Sequence, residues 1–250
     1  MNDESRDATL PPLDYATPAP APRRYPYVLL ALFAVALGFS AIKPWDFKNW
    51  LMENTLTAVF LLILLLTRKR LPLSNVSYTL IFVYLCFHVL GSHYSYSRVP
   101  IGAKITELMG WQRNHYDRFV HFLFGLLLAY PIRELFLRVA GVRGFWGYYL
   151  PLDVTMSFSM LYELVEWGAA EAFGGELGAA YLGTQGDEWD AHKDMALATA
   201  GAVISMLVVA LINWKFDRRF GEEMRDSIRV KGTAPLGEVR LRELTQDRAN

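Results

Sequence analysis

The chain has 250 residues, and its 25 lysines and arginines are balanced by 25 aspartates and glutamates, which gives a formal net charge of zero. A protein without net basic charge has no long-range field that would attract nucleic acid, so we expect no nucleic-acid partner. Hydrophobic residues make up 53% of the chain although both ends are polar, which indicates a membrane protein. The single cysteine, Cys86, excludes an intramolecular disulfide and a thiolate metal site.

Residues 1–24 are rich in proline and small polar residues, a composition typical of a disordered leader. Downstream, six stretches are long and apolar enough for membrane helices, which need about 20 mostly apolar residues each. These stretches cover approximately 25–42, 50–67, 75–93, 119–137, 148–170 and 194–214. We therefore predict an all-α polytopic membrane protein, with a six-span membrane domain over 25–214 and a polar tail over 215–250.

Lysine and arginine are distributed unequally between the two sides of this predicted bundle. The N-terminal leader, the segments around 68–70 and 133–143, and the C-terminal tail share one side and hold most of the basic residues. Basic residues in short loops accumulate on the cytoplasmic side of a membrane. We predict that both termini are cytoplasmic and that the protein lies in the lipid bilayer of a bacterial inner membrane as a multi-pass protein.

Polar and ionisable residues cluster at the opposite, extracytoplasmic ends of the predicted spans. A charged residue within a span costs about 2.5–3.5 kcal/mol on insertion scales, so such residues normally face the interior of a bundle or a wet cavity. We therefore expect them to surround one pocket that opens to the extracytoplasmic side. The residues expected to bind a substrate there are His93, Tyr94, Arg113, His115, Trp189 and Lys193.

Several acidic residues in this region lie three or four positions apart, a spacing that places side chains on one face of a helix. The sets are Asp117 with His121, Glu163 with Glu166, and Asp187 with Asp190 and Asp194. All of them except Asp194 are candidate catalytic residues, with Asp117 orienting His121 as a base. Glu166, Asp190 and Asp194 are candidate ligands of a divalent metal such as Mg²⁺, Mn²⁺ or Zn²⁺, because these ions bind carboxylate oxygen and imidazole nitrogen.

The same residues also have ordinary structural explanations. Asp117 lies beside two arginines in the sequence and can form interfacial ion pairs with them, and histidines in helix bundles are often simple hydrogen-bonding groups. Glu163 and Glu166 are harder to explain, because two glutamates one turn apart near hydrocarbon repel each other unless one is protonated, metal-bound or paired with a cation. Gly183 and Gly186 follow no strand, so we expect no nucleotide cofactor.

Three blocks in this polar region resemble the YjdF-type bacterial inner-membrane proteins, over about residues 38–213. The blocks are His88-x-x-Gly91-Ser92-His93-Tyr94-x-Tyr96, Arg113-Asn114-His115-Tyr116-Asp117-Arg118-x-x-His121-Phe122 and Gly183-Thr184-Gln185-Gly186-Asp187-x-Trp189-Asp190. That family is multi-span and of unknown function, so the resemblance implies a membrane fold and no reaction.

A second similarity is to VanZ-like membrane proteins, which are associated with glycopeptide resistance. It rests on the order of Asp117-Arg118-x-x-His121-Phe122, Glu163-x-x-Glu166 and Asp187-x-x-Asp190-x-x-x-Asp194. This similarity implies a role in the cell envelope.

The residues support three functional hypotheses, of which only the first includes an enzyme. The protein binds, and in one version chemically processes, a lipid-linked or cell-wall substrate in the acidic and histidine-rich pocket. Alternatively, the same groups relay protons or coordinate a cation in a transporter or channel, although the apolar inner parts of the spans, such as 59–66 and 203–212, disfavour a polar route. Thirdly, the cluster is structural, in a non-catalytic assembly or sensor module. The bound metal and the oligomeric state stay open.

Overall fold

The computed structural model describes residues 24–175, 178, 182–230, 232 and 235–246, and all regular secondary structure in this part of the chain is helical. Residues 1–23 of the predicted leader lie outside the described residues. A π-helical turn, Phe136–Ala140, continues the fifth helix. The helices are α1 (Tyr25–Ser40), α2 (Phe47–Thr67), α3 (Asn75–His93), α4 (Pro100–Met109), α5 (Tyr116–Leu135), α6 (Trp146–Phe173), α7 (Asp190–Phe216), α8 (Phe220–Ser227) and α9 (Leu236–Gln246).

Each predicted span coincides with a helix, and four of them are long and apolar enough to cross a membrane by length and composition. These are α2, α3, α5 with its π-helical turn, and α7. The helix α1 is apolar but has only 16 residues. The 28-residue helix α6 is long enough, but it carries Asp153, Glu163, Glu166 and Glu171. The membrane-helical architecture is therefore confirmed, whereas the count of six spans remains a prediction.

Local sequence signals explain where several helices begin. The Asp46 carboxylate accepts hydrogen bonds from the backbone N–H groups of Lys48 and Asn49, at 2.8 and 3.1 Å, and so caps α2. The Ser74 hydroxyl accepts from the N–H of Ser77 at 3.2 Å and caps α3. These caps satisfy N–H groups that have no partner within the helix.

The most extensive helix packing in the bundle joins α5 to α7, which run in the same direction. A methyl group in place of the Gly125 hydrogen would lie 1.8 Å from the carbonyl oxygen of Ala198, and one at Gly201 would lie 2.2 Å from that of Phe122. The two backbones therefore approach as closely as only glycine permits. This crossing places the first turns of α5 and α7 side by side, and these turns carry the acidic residues.

The helix α3 runs antiparallel to α5 and is hydrogen-bonded to it at both ends. The Tyr116 hydroxyl donates to the Phe87 carbonyl at 2.9 Å, and at the other end the Ser77 hydroxyl donates to Glu134 at 2.5 Å. We call the end where α5 and α7 begin the acidic end, and the end that carries Arg68–Arg70 the basic end. An apolar core that includes Phe33, Ile81, Leu85 and Leu128 lies among α1, α3 and α5.

Two regions contain helices that the sequence analysis did not predict. The short helix α4 lies in the long loop between α3 and α5. The predicted polar tail contains α8 and α9, and α8 ends against the start of α6. There, the backbone N–H of Phe145 and the indole N–H of Trp146 donate to the hydroxyl and carbonyl oxygens of Ser227, at 2.9 and 2.8 Å.

Candidate functional site at the acidic end

Five charged residues form an ion-pair network at the acidic end. The Arg113 guanidinium donates two hydrogen bonds to Asp190, at 2.6 and 3.0 Å. Arg118 donates to both Asp187 and Asp190, at 2.5 and 3.1 Å, and the Lys193 ammonium lies 2.6 Å from Asp187. We call these five residues the arginine–aspartate network. The network contains two carboxylates and three cations.

Hydrogen bonds between side chains and backbone join the loop before α7 to the loop before α5. These bonds position the network. The side-chain amide of Gln185 accepts from the Asn114 N–H and donates to the Asn114 carbonyl, both at 3.0 Å. Arg113 also donates to the Thr184 carbonyl at 3.0 Å. Gly186 has a φ of +85°, which reverses the chain just before Asp187.

Asp187 does not share a face of α7 with Asp190 and Asp194, as its spacing predicts, because the helix begins only at Asp190. The Asp187 carboxylate instead accepts from the N–H of Trp189 at 3.1 Å, in the turn that precedes the helix. Hydrogen bonds from Lys193 and Arg118 hold the pKa of Asp187 well below its usual range. It is therefore ionised at neutral pH.

His115 lies directly before α5 and contacts the arginine–aspartate network. Its Nδ1 is 3.2 Å from a guanidinium nitrogen of Arg118, and the ring of Trp111 meets it edge-on with centroids 4.7 Å apart. Burial, followed by the charges of Arg118 and Arg113, lowers the pKa of His115 below its ordinary value. The imidazole is therefore neutral at pH 7 and accepts the hydrogen bond from Arg118.

A second group of ionisable residues lies beside this network, between α5, α6 and α7. Ligand atoms of Asp117, His121 and Asp194 all lie within 4.8 Å of one another. His121 Nε2 is 3.7 Å from an oxygen of Asp117 and 3.6 Å from one of Glu163. We call these four residues the carboxylate–imidazole cluster. Asp194 is 3% exposed and His121 is 9% exposed, so the cluster is shielded from solvent.

Two carboxylate oxygens in this cluster lack a hydrogen-bond partner. They are one oxygen of Glu163 and one of Asp194, and both are fully buried. Within the described residues, no lysine or arginine forms an ion pair with Asp117, Glu163 or Asp194. A buried carboxylate without a partner is strongly unfavourable. The donor set, two carboxylates and one imidazole with a third carboxylate adjacent, fits a divalent cation.

The candidate metal ligands named from the sequence are placed differently from one another. Asp194 belongs to the group of atoms within 4.8 Å, which does not include Glu166 or Asp190. Asp190 is instead bound by Arg113 and Arg118. Glu166 is buried on α6, one turn beyond Glu163.

Three of the candidate substrate-binding residues contact residues outside the arginine–aspartate network and the carboxylate–imidazole cluster. His93 Nδ1 lies 2.8 Å from the carbonyl oxygen of Ser40, which joins the end of α3 to the end of α1. The Tyr94 ring packs edge-on against His93. Trp189 is 57% exposed and packs against His192.

Three further residues complete this end of the bundle, and the sequence analysis selected none of them as site residues. Arg118 was considered only as an ion-pair partner of Asp117, whereas it binds Asp187 and Asp190. Glu53 on α2 is only 3% exposed, and its carboxylate accepts a hydrogen bond from the Tyr162 hydroxyl at 2.9 Å. An acidic residue within a predicted span is the signal that selected Glu163, and it applies equally to Glu53. No sequence signal distinguishes Tyr162.

Comparison with known proteins confirms the resemblance to the YjdF-type inner-membrane proteins. Residues 25–215 match a family described as a predicted membrane protein, DUF2238. The chain is 39% identical over 184 residues to the inner membrane protein YjdF of Escherichia coli (strain K12), an alignment that covers 73% of this chain and 88% of that protein. No solved structure matches the chain. The match confirms the predicted location in the inner membrane. The chain belongs to the DUF2238 family of predicted membrane proteins.

Proposed function

We propose that the carboxylate–imidazole cluster binds a divalent cation and that the protein acts there on an anionic, lipid-linked substrate of the cell envelope. In this proposal α1 and α6 also cross the membrane, which makes six spans with both termini in the cytoplasm. The acidic end then faces the extracytoplasmic side, because the basic residues of the other end remain in the cytoplasm. Substrates carried by envelope lipids are available at that surface.

The observation that carries the proposal is the convergence of Asp117, His121 and Asp194 within 4.8 Å, with a buried oxygen of Asp194 left unpartnered. Buried Asp194 and partly buried Asp117 and Glu163 surround one imidazole. A divalent cation would neutralise most of this charge and would supply the missing partner. The adjacent arginine–aspartate network shows the contrast, since its carboxylates already have cationic partners.

The residues present suit hydrolysis or transfer at a phosphoryl group. When bound, a divalent cation polarises a phosphoryl oxygen or activates water. Asp117, His121 and Asp194 would hold the cation. Glu163 lies 3.6 Å from His121 Nε2 and is the candidate to accept a proton at the same site. The neighbouring arginine–aspartate network has one more cation than carboxylates, which favours an anionic substrate group over a cationic one.

Transport through the bundle is less well supported by the packing below the cluster. Ala129 and Ala202 are fully buried and pack with Met206 in an apolar contact of α5 with α7. The glycine crossing above them leaves no space for a side chain. A cation relay across the membrane would need polar groups at this depth.

Metal binding by the purified protein tests the proposal. We expect Mn²⁺ or Zn²⁺ to bind at about one ion per chain and to raise the melting temperature. At a free metal concentration one hundred times the dissociation constant, binding should add about 2.7 kcal/mol to the free energy of unfolding. Asp194→Asn should abolish both effects while the protein remains folded. Glu107→Gln, which removes an exposed carboxylate from α4, is the matched control and should bind metal as the wild type does.

Two results would contradict the proposal. One is equal metal binding by the wild type and a folded Asp194→Asn variant, which would place the metal elsewhere. The other is the absence of binding by the wild type for Mg²⁺, Mn²⁺ and Zn²⁺ at millimolar concentration. If metal binds as expected, hydrolysis of phosphorylated lipids by the metal-loaded protein then tests the assignment of substrate.

A further inference from the structure

A groove between α1, α2 and α3 runs toward the basic end of the bundle. It is lined by apolar side chains of all three helices. Lining residues include Leu30, Phe33, Leu61, Leu64, Ile81 and Phe82. The groove is therefore lined mainly by apolar side chains.

One end of this groove carries positive charge. The Arg68 guanidinium lines the groove and lies 4.0 Å above the centre of the Tyr27 ring, so its position is restrained by a cation–π contact. Lys69 and Arg70 follow it and are exposed, as is Arg24 at the start of α1. Within the described residues, no carboxylate forms an ion pair with any of these four cations.

We propose that this groove is a binding site for one anionic phospholipid, with an acyl chain in the apolar slot and the phosphate against Arg68. The combination of features selects this ligand. A slot of leucine and phenylalanine side chains suits an acyl chain, and unpaired cations at its end suit an anionic head group. The site is at the end opposite the carboxylate–imidazole cluster, so it is independent of the proposed metal-dependent activity.

The charge at the groove's end disfavours two other occupants of the slot. A zwitterionic phospholipid would bring a choline or ethanolamine cation to a region that already has four unpaired positive charges. A second copy of this chain would bring the same cations into mutual repulsion. An anionic lipid removes this repulsion and fills the slot in one binding event.

Native mass spectrometry of the full-length protein, released from micelles of a neutral detergent, measures lipid retention directly. After delipidation, the protein is mixed with phosphatidylglycerol or with phosphatidylcholine of the same acyl chains. We expect the wild type to retain one phosphatidylglycerol in preference to phosphatidylcholine. Arg68→Gln should lower that preference about fivefold, the effect expected for one cation near a lipid phosphate.

The chain provides a matched control at the other end. Arg98 lies 4.2 Å above the Trp45 ring, so Arg98→Gln removes an equal charge from an equivalent cation–π contact away from the groove. This variant should retain phosphatidylglycerol as the wild type does. Arg68→Lys keeps the charge and should retain most of the preference, which separates loss of charge from loss of fold.

A third variant tests the acyl-chain half of the site. Leu64→Trp fills the slot without altering charge and should reduce lipid retention while leaving binding of inorganic phosphate unchanged. Equal retention of the two lipids by the wild type would overturn the proposal. So would equal losses in Arg68→Gln and Arg98→Gln, or full lipid retention by a folded Leu64→Trp.

Discussion

The arginine–aspartate network and the carboxylate–imidazole cluster lie side by side where α5 and α7 begin, yet their carboxylates have different partners. In the network, Asp187 and Asp190 are bound by Arg113, Arg118 and Lys193. In the cluster, Asp117 and Glu163 share His121, and Asp194 has an unpartnered oxygen. Carboxylates that have cationic partners stabilise the structure, whereas those without such partners are the ones that we propose bind a cation.

Removal of Asp190 should give the largest effect, because buried Arg113 loses its two closest carboxylate contacts and Arg118 keeps only Asp187. We expect Asp190→Asn to lower the free energy of unfolding by about 3–5 kcal/mol. Thermal or denaturant unfolding in detergent checks this value. Glu243→Gln, which breaks the exposed Arg240–Glu243 pair, is the control and should cost less than about 1 kcal/mol. Equal stability of the two variants would show that the network does not stabilise the fold.

The glycine crossing of α5 and α7 holds both regions together, so a methyl group there should disturb both. Gly125→Ala places a Cβ atom against the Ala198 carbonyl and should cost about 1–3 kcal/mol, because backbone cannot move aside as a flexible side chain can. It should also weaken metal binding. Gly38→Ala on α1 is the control, since its Cβ meets nothing within 4 Å. A Gly125→Ala protein with wild-type melting and metal affinity would show that the crossing is not restrictive.

In the carboxylate–imidazole cluster, loss of an acid should have little cost or even a benefit in the absence of metal. We expect the metal-free Asp194→Asn protein to unfold at the same free energy as the wild type or up to about 1 kcal/mol above it, because the replaced carboxyl group is buried and one of its oxygens has no hydrogen-bond partner. Chelator-treated samples, unfolded in parallel, measure the difference. A loss as large as that of Asp190→Asn would make the cluster a structural element instead of a binding site.

Asp187, which lies outside the membrane spans, should give an effect that depends on pH. Its folded pKa is below the usual value near 4, so its ion pairs stabilise the fold above that pH and lose this contribution as the pH falls toward the folded pKa. Asp187→Asn should therefore lower the melting temperature by a constant amount between pH 8 and about pH 5. The difference should shrink only in stronger acid. A difference that disappears near pH 6 would point to His115 or another group.

Much of the fold was predictable because hydrophobic length is a local property of the sequence. A run of about 20 apolar residues forms a helix in a membrane whatever its neighbours are, since backbone groups in lipid must bond within the segment. The predicted stretch 75–93 coincides with α3 to the residue. The caps Asp46 and Ser74 act within three residues and are likewise readable. The short helix α4 lacks this hydrophobic length, and it was missed.

Which carboxylates are neutralised was decided only by the tertiary structure. Helical spacing places Asp190 and Asp194 on α7 at an interval of four, but it does not say that Arg113 and Arg118 reach the first and that Asp117 and His121 approach the second. That difference depends on the register of α5 against α7, where Gly125 lies against the Ala198 backbone and Gly201 against that of Phe122. Sequence by itself determined that acidic residues and histidines gather at one end of the bundle. Packing determined their partners, because the energy of a buried charge depends on the groups a few ångströms away in space and not on those beside it in the chain.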